Sequence, residues 1–188
     1  MSQPRLCMIQ GMETAQHIIM VTGGARSGKS ALAESMASRF SGPRIYIATA
    51  EAWDDEMTQR IRLHQDRRGE GWQTIEEPVD LPGALQRSDD GQTVRLVDCL
   101  TLWLSNLLAA GDPAPHIRAL GDVLRKQRGP VVLVTNELGL GIVPDNALAR
   151  RFRDEHGWMN QAVAGIADEV WISVSGLPLQ LKPQRGTP

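Results

Sequence analysis

Gly23-Gly24-Ala25-Arg26-Ser27-Gly28-Lys29-Ser30 is the stretch that decides how this chain folds. It fits the spacing G-x-x-x-x-G-K-[S/T], and its setting suits a phosphate loop, with a short apolar run before it and a helix-periodic stretch after it. The glycines let successive backbone N–H groups turn inward onto phosphate oxygens. A helix opening at Ser30 adds the positive end of its dipole. Lys29 is placed to reach the β and γ phosphates, and the Ser30 hydroxyl to hold Mg²⁺. Gly23, Gly24, Ala25, Arg26, Ser27, Gly28, Lys29 and Ser30 are therefore the first nucleotide-binding candidates.

Working outward, His17–Thr22 (HIIMVT) reads as a buried strand running into the loop. Ser30–Phe40 reads as a helix, with Leu32, Met36 and Phe40 at steps of four. Further strands are expected at Arg44–Thr49, Thr93–Asp98, Pro130–Thr135, Glu169–Ser175 and Leu177–Lys182, the last pair about a Gly176-Leu177-Pro178 turn. Helices are expected at Asp54–Arg68, Leu100–Ala110, Ile117–Gln127 and Asn146–Ala167. Strands alternating with helices imply an α/β fold whose mostly parallel sheet is covered on both faces. Residues 1–16 read as a loose polar extension, 17–182 as one domain and 183–188 as a polar tail.

Bulk properties narrow the functional classes. The chain has 188 residues and a formal net charge of −2, which gives no support to a nucleic-acid partner. Arginine supplies 17 of the 20 basic residues, and one of the three lysines is Lys29. The two cysteines, Cys7 and Cys99, stand in no CxxC or Cys/His pattern, so structural zinc is not expected. No apolar run approaches the ~18 residues of a membrane span, and no signal peptide is visible. The expected location is the cytoplasm.

A Mg²⁺-dependent phosphoryl site needs an acidic partner for the ion. Asp98, closing the run Val94-Arg95-Leu96-Val97, is the candidate, although Arg95 breaks its apolar pattern. Glu137, following the Pro130–Thr135 strand, is the rival. A second constellation lies in Arg60-Ile61-Arg62-Leu63-His64-Gln65-Asp66-Arg67-Arg68. On a helix, Arg60, His64 and Arg68 share one face. Two flanking cations favour the neutral, nucleophilic imidazole and could clamp a nucleotide phosphate. From spacing alone, a surface histidine on a basic helix face is the favoured reading of His64. His17, His116 and His156 suggest no role; the last two stand in polar sequence.

These blocks together resemble the bifunctional adenosylcobinamide kinase and adenosylcobinamide-phosphate guanylyltransferase family, from about Ile18 to Lys182. The resemblance is carried by VTGGARSGKS (21–30), IATAEAWDDEM (47–57) and RIRLHQDRRGEGWQTIEEP (60–78). It continues through VTNELGLGIVP (134–144), RRFRDEHGWMNQAVAGIADEVW (150–171) and VSG (174–176). The resemblance implies a RecA-like fold and two reactions. The first phosphorylates the aminopropanol hydroxyl of adenosylcobinamide with ATP or GTP. The second transfers GMP from GTP to that phosphate through a guanylylated histidine, which maps onto His64 through Arg60, Ile61, Arg68 and Trp72. Nucleotide contacts carry over to the phosphate loop, to Ala48, Thr49 and Ala50, to Gln65, Asp66, Arg67 and Arg68, and to Glu76 and Asp98. Glu76 could accept hydrogen bonds from guanine N1–H and N2–H₂. The family also implies homo-oligomers, with a trimer expected. Gly69 stands where the family often has proline. The NELGLGIVP segment reads equally as a rigid strand–helix connection built on Gly139, Gly141 and Val143-Pro144 and, lying where a parallel sheet presents ligands, as a contact for corrinoid or phosphate. The competing readings are a plain small-molecule kinase without GMP transfer and a non-catalytic nucleotide switch.

Overall fold

The computed structural model describes residues 16–50 and 71–183. Strand β1 (Ile18–Gly23) leads to α1 (Lys29–Ala37), then β2 (Arg44–Ala48). Next come β3 (Trp72–Glu76), α2 (Leu81–Arg87), β4 (Val94–Asp98), α3 (Leu100–Ala110) and α4 (Ala114–Leu124). The chain continues through β5 (Val131–Val134), α5 (Ala147–Ile166), β6 (Glu169–Val174) and β7 (Leu177–Lys182). The expected helix over Asp54–Arg68, residues 1–15 of the extension and 184–188 of the tail lie outside the described residues.

The strands form one seven-stranded sheet in the order β3-β2-β4-β5-β1-β6-β7, parallel except for the β6–β7 hairpin. Alternation along each strand sends side chains to two cores. Ile18, Met20, Val97, Val131 and Leu133 join the larger core under α2, α3, α4 and α5, around the fully buried Trp103. Ile19, Val21, Leu96, Val132 and Val134 face the other way, onto Ala33, Met36 and Ala37 of α1 and onto Phe40. Continuous apolar runs such as Val131–Val134 are what a strand buried on both faces requires.

Two elements differ from the sequence reading. Strand β3 is an edge strand, exposed at Gln73, Thr74 and Glu76, so it lacks the apolar run that marks the central strands. Helix α2 contains Pro82 and Gly83, which resemble turn chemistry, yet proline is tolerated in a first helical turn. Asp80 caps it by accepting from Gly83 N–H at 3.0 Å. Arg95 is fully buried but not unpaired. Its guanidinium donates to Asp89 Oδ1, Gln127 Oε1 and the carbonyls of Thr93 and Gly129. It thereby ties the lower ends of β4 and β5 to the Asp89 turn.

Candidate functional site

The phosphate loop closes between β1 and α1 at the carboxyl edge of the sheet, where parallel α/β folds bind ligands. Gly23 has φ 155°, and a Cβ there would lie 2.5 Å from the Ser173 carbonyl oxygen. Gly28 is left-handed at φ 93° and starts α1 with no side-chain cap, which leaves the first-turn N–H groups facing the loop. Lys29 Nζ donates to the Gly24 carbonyl at 3.1 Å. The Ser27 carbonyl accepts from Ser173 Oγ at 2.6 Å and from Gly176 N–H at 2.9 Å. The β6–β7 turn thus braces the loop from behind, which gives the 174–176 segment a physical role the sequence did not disclose.

Register places the remaining candidates along the same edge. Glu76 pairs with Ala48, Ala48 with Asp98, Asp98 with Val134, and Val134 with Val21. At ~4.8 Å per strand spacing, Asp98 lies about 10 Å across the sheet from β1 and Glu76 about 19 Å. Thr49 follows one step beyond and is fully buried. Its N–H donates to the Asp98 carbonyl, its hydroxyl to the Cys99 carbonyl, and it accepts from Cys99 N–H. Asn106 on α3 donates to the carbonyls of Thr49 and Pro78, which joins the exits of β2 and β3. Ala50 is half-buried beside them. The edge is therefore a stitched, rigid row. Sequence reasoning overlooked Asn106, because an asparagine inside an apolar helix carries no positional signature.

Asp98 is half-buried, and the Tyr46 hydroxyl donates to its Oδ2. Glu137 is held differently. Its N–H donates to the Gly23 carbonyl at 3.1 Å, and its Oε1 accepts from Gly139 N–H at 2.8 Å. Glu137 thus caps its own turn beside the phosphate loop. The Ser30 hydroxyl and the Asp98 carboxylate are hard oxygen donors of the kind Mg²⁺ takes. Among the described residues no cluster of three or more His, Cys, Asp or Glu forms a self-contained metal cage. A Mg²⁺ bound on this edge would complete its shell with phosphate and water oxygens, as it commonly does.

His156, read in the sequence as standing in polar surroundings, is 1% exposed and lies behind this edge. Its Nε2 meets Thr101 Oγ1 at 3.0 Å and Thr135 Oγ1 at 3.2 Å. Thr135 donates to Asn160 Oδ1, Asn160 Nδ2 to the Asn136 carbonyl, and Asn136 N–H to Thr101 Oγ1. Burial pushes the His156 pKa down, and the Glu137 carboxylate opposes this in part. The network fixes the Thr135–Glu137 exit of β5 against α3 and α5. One step of its logic was hidden in sequence: His156 is four residues from Asn160, on the face of α5 that also buries Met159 and Val163.

His17 also has a structural partner, Glu169, whose carboxylate accepts from His17, Arg39 and Trp171. The second candidate constellation, His64 with Gln65, Asp66, Arg67 and Arg68, lies outside the described residues, between β2 and β3. No helix among the described residues is long and apolar enough to cross a membrane.

The sequence model of the cobinamide kinase / cobinamide phosphate guanyltransferase family matches residues 19–181. The bifunctional adenosylcobalamin biosynthesis protein CobP of Pseudomonas aeruginosa is 46% identical over 166 residues, covering 87% of this chain and 96% of that protein. The bifunctional adenosylcobalamin biosynthesis protein CobU of Salmonella typhimurium is 43% identical over 182 residues, covering 88% and 99%. Among solved structures, the flagellar accessory protein FlaH of Methanocaldococcus jannaschii superposes with a TM-score of 0.53 at 12% identity, over 93% of this chain and 81% of that one. That likeness concerns the fold alone, which is a RecA-like P-loop fold.

Proposed function

The chain belongs to the cobinamide kinase / cobinamide phosphate guanyltransferase family, and from this we propose that it performs both reactions on adenosylcobinamide at the carboxyl edge of its sheet. The observation that carries this reading is the phosphate loop itself, braced by Ser173 and Gly176, opening α1 with uncapped N–H groups and Lys29.

In the first reaction the aminopropanol hydroxyl oxygen attacks the γ-phosphorus of ATP or GTP. A phosphorus–oxygen bond forms to the acceptor, the hydroxyl proton is released to solvent, and the bond to the bridging oxygen breaks. The nucleoside diphosphate leaves. Gly23–Ser30 bind the phosphates through backbone N–H groups, and Lys29 neutralises charge that develops on the transferred group. Ser30 and Asp98 would hold Mg²⁺, which offsets phosphate charge when bound. Asp98 suits this role better than Glu137, because Tyr46 orients the Asp98 carboxylate, whereas the Glu137 carboxylate closes its own turn.

In the second reaction a His64 ring nitrogen attacks the α-phosphorus of GTP and displaces pyrophosphate. A phosphate oxygen of adenosylcobinamide phosphate then attacks the same phosphorus. The phosphorus–nitrogen bond breaks, adenosylcobinamide-GDP leaves, and His64 is regenerated. Gln65, Asp66, Arg67 and Arg68 contact the nucleotide here, with Ala48, Thr49 and Ala50 at the exit of β2. Glu76 selects guanine by accepting from N1–H and N2–H₂. It is exposed at the end of β3, level with Ala48 and Asp98, and among the described residues no side-chain hydrogen bond engages its carboxylate. The subunits are proposed to act as a homotrimer, with residues 17–182 folding as one unit.

The His64→Ala variant separates the two halves. It should still phosphorylate adenosylcobinamide at a rate near wild type while forming no adenosylcobinamide-GDP. Equal loss of both products would mean that His64 serves binding or folding rather than GMP transfer.

A further inference from the structure

The segment leaving β5 carries an apolar surface that the fold does not use. Leu140, Ile142 and Val143 are 85%, 97% and 60% exposed, and Leu148 in the first turn of α5 is 69% exposed. Single exposed apolar residues are common, but four within nine positions (140–148) form a patch. Residues 138–144 (LGLGIVP) contain no charged or polar side chain. The patch is not a loose tip, because both of its ends are fastened. Glu137 N–H is bonded to the Gly23 carbonyl and Gly139 N–H to Glu137 Oε1. At the far end Arg150 donates to the carbonyls of Pro144 and Asp145, and Asn146 caps α5 through Ala149 N–H.

Position identifies what could cover it. Three chain steps of ~3.8 Å keep the Leu140 Cα within about 11 Å of the Glu137 Cα, which is itself bonded to the first residue of the phosphate loop. An acceptor that presents a hydroxyl on a short arm to the γ-phosphate must rest its body within one arm's length of that loop. A corrin macrocycle is such a body, and the methyl groups that stand between the amide side chains of its rim match an apolar platform beside the loop.

We propose that Leu140, Ile142, Val143 and Leu148 form the surface on which the corrin ring of the acceptor rests while its aminopropanol arm enters the phosphate loop. This assignment rests on the reading of the chain as an adenosylcobinamide kinase, and it adds the location of the acceptor.

The test uses the full chain and the double variant Leu140→Ser/Ile142→Ser, whose substituted side chains are solvent-exposed and leave both cores intact. Phosphorylation kinetics give KM for adenosylcobinamide and for the nucleotide separately. Equilibrium dialysis, read from corrinoid absorbance, gives binding without turnover. Losing two buried apolar contacts should raise the adenosylcobinamide KM and Kd roughly tenfold or more. The nucleotide KM should stay within about twofold, because the phosphate cradle is untouched. Unchanged corrinoid KM and Kd in an active variant would overturn the platform while leaving the kinase reading intact. A wild type that neither binds nor phosphorylates adenosylcobinamide would overturn both. If sedimentation shows that the variant loses self-association and corrinoid binding is unaffected, the patch is a contact between copies of the chain and the proposal fails.

Discussion

The Tyr46 hydroxyl donates to Asp98 Oδ2, joining β2 to β4 at the sheet edge that carries the phosphate loop. Ala48, two residues beyond Tyr46 on β2, is the register partner of Asp98, so the bond fixes one carboxylate oxygen in a rigid frame. One neutral-to-charged hydrogen bond contributes about 1.5–3 kcal/mol. Tyr46→Phe should therefore raise the Mg²⁺ concentration needed for half-maximal phosphorylation by roughly tenfold, with smaller effects at saturating Mg²⁺. Asp98→Asn should lower the rate by at least ~100-fold even at saturation. A Mg²⁺ titration of the three proteins checks this, and an Asp98→Asn enzyme with wild-type Mg²⁺ dependence would transfer the metal role to Glu137.

Lys29 stands in the loop with its Nζ on the Gly24 carbonyl. Lys29→Ala should reduce phosphorylation of adenosylcobinamide by ~10³-fold or more, because the developing γ-phosphoryl charge loses its cation. GMP transfer should fall as well, because the proposed mechanism places both nucleoside triphosphates on this edge. Full kinase activity in Lys29→Ala would remove the phosphate loop from the mechanism.

His156 is buried, and its part is structural. Its removal leaves a cavity and strips the Thr101 and Thr135 hydroxyls of a partner, at a cost of about 3 kcal/mol. Thermal denaturation of His156→Ala at pH 7.5 should show that loss. Burial holds the folded-state pKa of His156 below the ~6.5 of a free imidazole. The unfolded chain therefore binds the proton more readily, and the His156 contribution, complete above pH ~6.5, is lost as pH falls through the folded-state pKa. The stability gap between wild type and His156→Ala should narrow from pH 7.5 to 5.5. A gap that widens over this range would mean that the folded protein prefers a charged imidazole.

Much of the fold was legible because its elements obey a single period each. The loop at 23–30 and the run at 131–134 announce themselves through glycine spacing and continuous apolar residues. Strand β3 did not, because an edge strand satisfies only part of its surface and Trp72-Gln73-Thr74-Ile75-Glu76 shows little apolar bias. Helix α2 was obscured by Pro82 and Gly83, whose first-turn placement is recognisable only with Asp80 as cap. Arg95 broke the pattern of β4 because its guanidinium pairs with Asp89, a contact six residues back in sequence that depends on a turn.

The candidate site was legible where a residue acts through the backbone or a motif. Gly23, Gly28 and Lys29 stand where the motif places them, and Glu76, Ala48 and Asp98 share one register level. The supporting residues were not legible. Ser173 and Gly176 brace the Ser27 carbonyl across nearly 150 positions, and His156 reaches Thr101 across 55. Long-range polar contacts of this kind leave no local period in a sequence.

Covalent GMP on His64 is the most direct test of the central claim. Intact-protein mass spectrometry of wild type and His64→Ala, each incubated with GTP and Mg²⁺ and no corrinoid, reads it in one step. An acid-labile, GMP-sized increment is expected on the wild type and not on His64→Ala. Wild-type protein that binds GTP yet acquires no increment would contradict it.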